Sequence, residues 1–238
     1  MFAAAVLLPE TALLLPGAAG SAEVLVAERA AAVAAVERVL LTGPDRVVVV
    51  TPTMPAGTVV DGTVRPTLAG SGIGDEWLGL PLGVEPGVAL QDAAASVAVL
   101  VLRRAGWSGP LTVVGAGSPD GAALRGLGAD LVAGQESVVL VLAGSLSARR
   151  GPDGPLADDE RAAGLDDAVV AALVDLGPAS VARLTAVPAA LAQDLAVSAW
   201  APWQVLLGAA PGGTRGTAVS VSAPFGATYA VITWMPPA

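Results

Sequence analysis

The side chains that could do chemistry in this chain are carboxylates, hydroxyls and guanidiniums. The sequence contains no histidine and no cysteine, and all twelve of its basic residues are arginine. Imidazole, thiolate and amine chemistry are therefore absent, and so are the nitrogen and sulfur ligands that transition metals prefer. A Ser-His-Asp triad, a Cys-His pair, a Schiff-base lysine or a zinc site cannot be built from this chain alone. We assign no catalytic residue, no metal ligand and no cofactor from the sequence.

One short segment concentrates polar groups where α/β sheets bind ligands. Ser145, Ser147, Arg149 and Arg150 follow the apolar run 138–143, which predicts a buried strand. Ligands sit at the carboxyl ends of strands in open sheets, and an arginine fork suits a carboxylate or phosphate. A ligand held by these groups would be a small anionic molecule. In the alternative interpretation, the two arginines bond with acids of the next helix, namely Asp158, Asp159 or Asp166.

Two other motifs indicate chemistry more weakly. Residues 115–121 form a glycine-rich turn between a predicted strand and helix, but the spacing is GxGxxxG and Pro119 removes a backbone donor. We interpret this turn as a βα loop rather than a nucleotide site. The acids Asp75-Glu76 and Asp158-Asp159-Glu160 could support carboxylate acid–base catalysis, although solvated surface or helix-start charge is the commoner reason for such runs.

Composition and charge exclude several kinds of partner. The net charge of −9 disfavours nucleic acid and anionic membrane surfaces, so we predict neither as a partner. The apolar runs 47–50, 97–102 and 138–142 are far shorter than the roughly 20 residues that a membrane helix needs. The absence of cysteine fits a cytoplasmic location.

Apolar strand-like runs alternate with Ala-rich helical segments along the chain. This alternation predicts one α/β domain over residues 1–238, a three-layer sandwich with a mostly parallel, mixed central sheet flanked by helices. We predict strands at 2–8, 46–51, 111–115, 138–143, 217–222 and 228–234, the last two as a hairpin. We predict helices at 21–41, 90–105, 121–133, 157–176, 178–184 and 188–208. The Gly- and Pro-rich stretch 52–86 is predicted as an excursion above the sheet, with a hairpin at Asp61-Gly62.

Two tryptophans bear on oligomeric state. Trp200 and Trp203 lie three residues apart on a predicted helix and therefore share a face. Core packing is the default explanation, and an anchor in a dimer interface is the alternative. A hydrophobic fraction of 54% is compatible with a homodimer that hides apolar surface between its subunits.

Four places in the chain, taken in order, form a family pattern. They are residues 9–16 after the first predicted strand, residues 80–84, residues 140–150 with 159–166, and residues 203–206 with 223–229. The Ser-Ala-Arg-Arg stretch with the Asp-Glu-Arg segment after it is the most specific. Together these places resemble the class III extradiol ring-cleavage dioxygenase superfamily in its catalytic-subunit-B-like branch. The chain is most similar there to small, Ala-rich actinobacterial members.

The resemblance implies a three-layer α/β domain with its site at the carboxyl edge of the sheet. Active members hold Fe(II) with two histidines and one carboxylate, and another histidine acts as acid–base. This chain has Glu10 where such proteins have the histidine of Pro-His-Pro-Pro, and Thr51-Pro52-Thr53 where a histidine ends the second strand. It has Ser145 where an acid follows the glycine after a later strand. No metal-ligand set therefore transfers residue by residue.

These features lead to three functional hypotheses. The first is a pseudoenzyme that keeps the dioxygenase-like scaffold without the iron chemistry and has a binding or assembly role. The second is a binding module that holds a small anionic ligand with Arg149 and Arg150. The third is a metal-independent or divergent enzyme on the same scaffold. The residues that we assign to ligand binding are Ser145, Ser147, Arg149, Arg150, Glu10 and Thr53.

Overall fold

A computed structural model describes residues 1–78, 87–152 and 154–237. Its larger sheet consists of β1 (Phe2–Leu8), β2 (Arg46–Pro55), β3 (Val59–Gly62), β6 (Leu111–Gly117), β7 (Val138–Ala143), β8 (Arg215–Ser222) and β9 (Tyr229–Met235). A small second sheet pairs β4 (Val64–Pro66) with β5 (Val88–Leu90). The strand order of the larger sheet is β3-β6-β2-β7-β1-β9-β8.

The four central strands run parallel and the outer strands run antiparallel to their neighbours. β1 and β2 each pair in parallel with β7, and β2 also pairs in parallel with β6. β3 is antiparallel to β6, β9 to β1, and β8 to β9, the last as the predicted hairpin. The carboxyl ends of β1, β2, β6 and β7 therefore meet at one edge of the sheet.

Helices cover both faces of the sheet, as the predicted three-layer architecture requires. One face packs against α1 (Val26–Leu40) and α2 (Ala93–Arg104). The other packs against α3 (Gly121–Leu131), α4 (Arg161–Asp175), α5 (Pro178–Ala186), α6 (Ala189–Asp194) and α7 (Trp200–Ala209). The predicted fold class, an α/β fold with a mixed and mostly parallel central sheet, is confirmed. Among the described residues, no helix has the length and hydrophobicity to cross a bilayer.

Several predicted element boundaries are wrong. The hairpin at Asp61-Gly62 does not form, because β3 pairs with β6 and β4 pairs with β5 instead. The first helix begins at Val26, after Leu25 adopts a left-handed conformation, and Ser21 does not cap it. The predicted helix 188–208 is two helices, since Ala196 has a φ of +54° and ends the first. Within the predicted excursion 52–86, residues 79–86 lie outside the described residues, and so does the 80–84 segment of the family pattern.

Both tryptophans that could have anchored a dimer are buried. Trp203 is 1% exposed and Trp200 is 7% exposed, and both belong to the core on the α7 side of the sheet. The Trp200 indole donates a hydrogen bond to the Val187 carbonyl oxygen at 2.9 Å. The core-packing interpretation is therefore correct, and the interface interpretation of this pair is wrong.

Helices α3 and α7 pack so closely that glycine is needed at their contact. A Cβ atom on Gly128 would overlap the Val205 carbonyl oxygen, and one on Gly208 would overlap the Arg125 carbonyl oxygen. The Arg125 guanidinium also donates a hydrogen bond to the Gln204 side-chain oxygen across this contact, at 2.5 Å. The contact brings α7, which lines the carboxyl edge of the sheet, against the helix that follows β6.

We expect Gly128→Ala to lower the free energy of unfolding by about 1–3 kcal/mol, because the added methyl group forces the two backbones apart. Gly126→Ala is the matched control in the same helix. Its Cβ would meet nothing within 4 Å, so helix propensity should stabilise that variant by roughly 0.5–1 kcal/mol. Urea unfolding of both variants measures the difference. Equal effects of the two substitutions would contradict the close packing of α3 and α7.

Candidate functional site

Asp92 organises the polar groups at the carboxyl end of β2. Its carboxylate caps α2 by accepting a hydrogen bond from the Ala95 N–H at 2.8 Å. It also accepts hydrogen bonds from the Thr51 hydroxyl at 2.8 Å and the Thr53 hydroxyl at 2.5 Å. The predicted ligand residue Thr53 thus lies at the expected edge, with its hydroxyl already bonded to Asp92.

Glu10 approaches the same place from the end of β1. The Ser198 hydroxyl neighbours its carboxyl group, and Asp92 lies within electrostatic reach of it. Its Oε2 atom is buried and has no hydrogen-bond partner among the described residues. Burial raises the pKa of Glu10, the Ser198 hydroxyl offsets part of that rise, and the nearby Asp92 carboxylate adds to it. Glu10 therefore keeps its proton to a higher pH than an exposed glutamate.

Ser145 joins this arrangement through its backbone rather than its hydroxyl. The Ser145 N–H donates to the Ser198 Oγ at 2.9 Å, and the Ser145 carbonyl oxygen accepts from the Ala199 N–H at 3.0 Å. These bonds fix the segment before α7 against the end of β7. We call Glu10, Thr51, Thr53, Asp92 and Ser198 the acid–hydroxyl cluster.

A cavity of about 450 Å³ adjoins the acid–hydroxyl cluster, and we call it the sheet-edge cavity. Ser198 belongs to both, and Pro52 lines the cavity between Thr51 and Thr53. Its size falls within the range of small-molecule sites, and its position matches the usual ligand site of open α/β sheets. The remaining lining residues are Gly117, Ser118, Pro119, Ala189, Ala192, Gln193, Val197, Trp200 and Ala201.

The glycine-rich turn after β6 forms one wall of this cavity. Gly117 is required there, because a Cβ atom would lie 2.7 Å from the Met54 carbonyl oxygen of β2. Asp120 caps α3 by accepting hydrogen bonds from the N–H groups of Ala122 and Ala123, both at 3.0 Å. Since a carboxylate already occupies the start of this helix, the geometry favours a βα loop over a phosphate site, as predicted.

Ser147, another predicted ligand residue, is fully buried and bonded within the protein. Its hydroxyl donates to the Leu195 carbonyl oxygen at 3.0 Å and accepts from the Arg149 N–H at 3.1 Å. Its own N–H donates to the carboxylate of buried Asp166 at 3.0 Å. Burial raises the pKa of Asp166, while the neighbouring Thr228 hydroxyl and this N–H group oppose the rise. These contacts give Ser147 a structural role in holding the loop after β7.

Arg149 and Arg150 do not line the sheet-edge cavity. The Arg149 guanidinium donates to the Ala157 carbonyl oxygen at 3.0 Å. The Arg150 guanidinium donates to the Thr228 hydroxyl at 3.4 Å and lies 3.8 Å from the Asp167 carboxylate. The structure thus separates these two arginines from Glu10 and Thr53, with which the sequence grouped them.

The alternative interpretation of the arginine pair is correct in part, since Arg149 acts electrostatically on Asp159 and Arg150 on Asp166. Arg150 pairs with Asp167, which the sequence analysis did not name, whereas Asp158 accepts from the Gly151 N–H at 2.7 Å. Asp159 pairs with Arg161 at 2.8 Å, and the Arg161 bonds lower the pKa of Asp159 to about 2. The interpretation is right in kind, since the Arg150 side chain does pair with a carboxylate of the following helix.

Sequence reasoning missed Asp92 and Ser198, which hold the cluster together. Asp92 carries a usable signal, because an aspartate directly before an Ala-rich helix is a typical N-cap. The predicted helix begins at residue 90 instead, which hides this signal. Ser198 carries no such signal, since it lies inside a continuous predicted helix. The cavity residues Gln193 and Trp200 were missed for the same reason.

The acid–hydroxyl cluster does not fit a ferrous ion. It offers two carboxylates and hydroxyl groups, whereas iron sites of the resembling family need imidazole nitrogen. Both Asp92 oxygens already accept hydrogen bonds, so Glu10 alone has an unpartnered carboxylate oxygen there. In the described part of the chain, no group of three or more His, Cys, Asp or Glu residues could hold a metal ion.

Comparisons with known proteins give structural likenesses but no match in sequence. No protein-family model matches the chain, and no curated protein matches it. The fold is similar to the crystal structure of uncharacterized protein JW3007 from Escherichia coli K12, with a TM-score of 0.57 and 16% sequence identity. The match covers 98% of this chain and 99% of that one. At this identity, the likeness supports a shared fold and nothing about activity.

We expect Glu10→Gln to stabilise the protein relative to the native chain once the pH rises above the folded-state pKa of Glu10. Because the folded-state pKa of Glu10 is raised, its favourable contribution is complete below the unfolded-state pKa and disappears as pH rises through the folded-state value. Glutamine keeps the shape without the buried charge, so the two stabilities should converge in acid. Chemical unfolding between pH 4 and 9 tests this, with exposed Glu37→Gln as the control. A difference that does not change with pH would contradict the buried, protonated state of Glu10.

Proposed function

We propose that this protein is a non-ring-cleaving member of the class III extradiol dioxygenase-like superfamily that binds a small molecule in the sheet-edge cavity. The observation that carries the proposal is the cavity itself, with a volume of about 450 Å³ at the carboxyl edge of the sheet. Ligands of open α/β sheets bind at this edge, and the resembling family has its site there. The pseudoenzyme hypothesis thereby gains a specific binding site.

The cavity wall favours a neutral ligand with an apolar body. No charged side chain is among the residues that line it. Trp200, Val197 and the two prolines supply apolar surface, while Ser118, Gln193 and Ser198 can bond with one or two polar groups. A neutral aromatic or alicyclic molecule with a hydroxyl or amide group has this chemistry. An anionic ligand held by Arg149 and Arg150 is the alternative, and it would have to use a different part of the surface.

Loss of the iron chemistry follows from the residue types in the chain. Fe(II) oxygenase sites use two histidines and a carboxylate, and this chain contains no histidine. Glu10 stands where the resemblance implies the first of those histidines. A single unpartnered carboxylate oxygen with hydroxyl neighbours is a weak site for this ion.

The first test measures iron binding and ring cleavage. We expect the protein, after anaerobic incubation with Fe(II) and desalting, to retain much less than one iron per chain. We also expect no ring-opening of catechol, followed by the ultraviolet absorbance of the product. Retention of one iron per chain, or catechol turnover above that of free Fe(II), would disprove the proposal.

The second test uses benzamide and benzoate as a neutral and an anionic probe of the same shape. We expect benzamide to raise the Tm by roughly 2–4 °C at a tenfold excess over its Kd, because it binds only the folded state. Benzoate should have a much smaller effect, since the cavity offers no cationic partner and Glu10 and Asp92 lie next to its wall.

Two adjacent substitutions in α6 identify the binding site. Ala189 lines the cavity, whereas Ala190 is exposed and does not line it. Ala189→Phe should fill the cavity and remove the benzamide shift, and Ala190→Phe should leave it intact. If neither probe shifts the Tm, or if both variants respond alike, the sheet-edge cavity is not the binding site.

One observation favours a metal-independent enzyme as a second candidate. Glu10 is a carboxyl group with a raised pKa, and its partner Ser198 reaches the cavity wall. Such a group could supply a proton through Ser198 to a bound molecule. Recovery of the bound compound after incubation distinguishes the two functions, because a binding protein releases the compound unchanged. An enzyme of this kind converts it, and Glu10→Gln should stop the conversion without preventing binding.

A further inference from the structure

β8 is an exposed edge strand that lacks two of the usual protections against strand pairing, charge and proline, over residues 216–222. In the described parts of the chain it pairs with β9 on one side and with no strand on the other. Residues 216–222 contain no charge and no proline. Exposed edges in natural proteins usually carry charges or proline, because the free backbone groups otherwise recruit another strand. Val219 and Val221 are 40% and 43% exposed on this edge.

The opposite edge of the sheet is protected in the usual way. β3 is only four residues long and contains Asp61 and Gly62. The Asp61 carboxylate accepts a hydrogen bond from the Thr112 hydroxyl of β6 at 2.6 Å. A short strand that ends in a charge and a glycine is a poor template for another strand. The two edges therefore differ in their capacity to pair.

We propose that two copies of this chain dimerise by antiparallel pairing of β8 with β8. A two-fold axis lies between Ala218 and Val219. Residue 215 of one copy lies opposite 222 of the other, 216 opposite 221, and 217 opposite 220. The paired strands extend the sheet continuously through both subunits over a contact about 27 Å long.

The faces of β8 select this register. Gly216, Ala218 and Val221 pair across β9 with Trp234, Ile232 and Ala230, which all face the α4 side of the sheet. Ser220 pairs with Val231, which faces the α1 side. The register shift between Ala218 and Ser220 inserts Val219 as an extra residue, so side-chain alternation is interrupted there. With the bulge at the axis, the pairs 216–221 and 217–220 each join side chains that face the same helical layer.

The charges at the two ends of β8 are complementary, which supports a second copy of this chain as the partner of the β8 edge. Ser222 donates a hydrogen bond to the Glu28 carboxylate at 2.7 Å, so this carboxylate stands at one end of β8. Arg215 stands at the other end with its side chain 66% exposed. Antiparallel pairing places Arg215 of each copy beside Ser222 and Glu28 of the other, and the two-fold axis repeats this contact. Arg215 bonds with Asp175 through Nη1 alone, which leaves its Nε and Nη2 groups available to a second carboxylate.

The chain lacks cysteine, so introduced thiols report the register directly. Thr217→Cys together with Ser220→Cys should give a covalent dimer on mild oxidation, because residues 217 and 220 of different copies lie opposite each other. Within one copy these positions are too far apart along an extended strand to form a disulfide. Val59→Cys on the β3 edge is the control and should stay monomeric on a non-reducing gel. Cross-linking of both edges alike, or of neither, overturns the proposal.

A charge exchange tests the end contacts in solution. Sedimentation equilibrium of the native chain should show a dimer, and Arg215→Glu or Glu28→Arg should each raise the dimer Kd roughly tenfold. The double variant should recover most of the affinity. Within one copy the two residues stand at opposite ends of β8, so this recovery can only act across the interface. A monomeric native chain, or a double variant no better than the worse single variant, overturns the proposal. Melting temperatures show that each variant is folded.

Discussion

The four central strands are apolar on both faces, and this constraint determines where polar groups can lie. All six residues of β7 are buried, and the Val-rich part of β2 is buried in the same way. A polar side chain within the apolar runs would lose its hydration without a partner, so Thr51 and Thr53 follow the Val-rich run of β2 and bond with Asp92. Because the four strands are parallel, their polar ends collect at one edge. Glu10, Thr51 and Thr53 meet there for that reason.

Hydrogen bonding within the protein limits what these polar groups can do. Thr51 and Thr53 bond with Asp92, and Ser147 bonds with Leu195 and Asp166, so most of the hydroxyls at this edge are engaged. Glu10 keeps an oxygen without a partner. Most of the polar groups at this edge therefore stabilise the fold.

The sequence predicts the sheet well because its central strands have a single possible environment. Runs such as 47–50 and 138–142 can only be buried on both faces, and they belong to β2 and β7 as expected. Thr53 and Ser145, which follow those two runs, lie at the predicted edge, and so does Glu10, which follows β1. Arg149 and Arg150 follow the same strand, but the loop after β7 turns them toward Ala157 and Asp167, and no local pattern specifies that turn. Asp92 and Ser198 enter the site through tertiary contacts between distant elements.

The left-handed turn at Ala196 links the cavity wall to the hydrophobic core. Alanine adopts this conformation at a cost of about 1–2 kcal/mol relative to its preferred backbone geometry. The residues on either side, Leu195 and Val197, are buried, and the Val197 N–H donates to the Ala192 carbonyl oxygen at 2.7 Å. Their burial offsets the backbone cost and fixes Ser198 at the cavity. The shape of the sheet-edge cavity is thus a property of the packed interior, and a change in side-chain volume beneath α6 would alter the cavity from a distance.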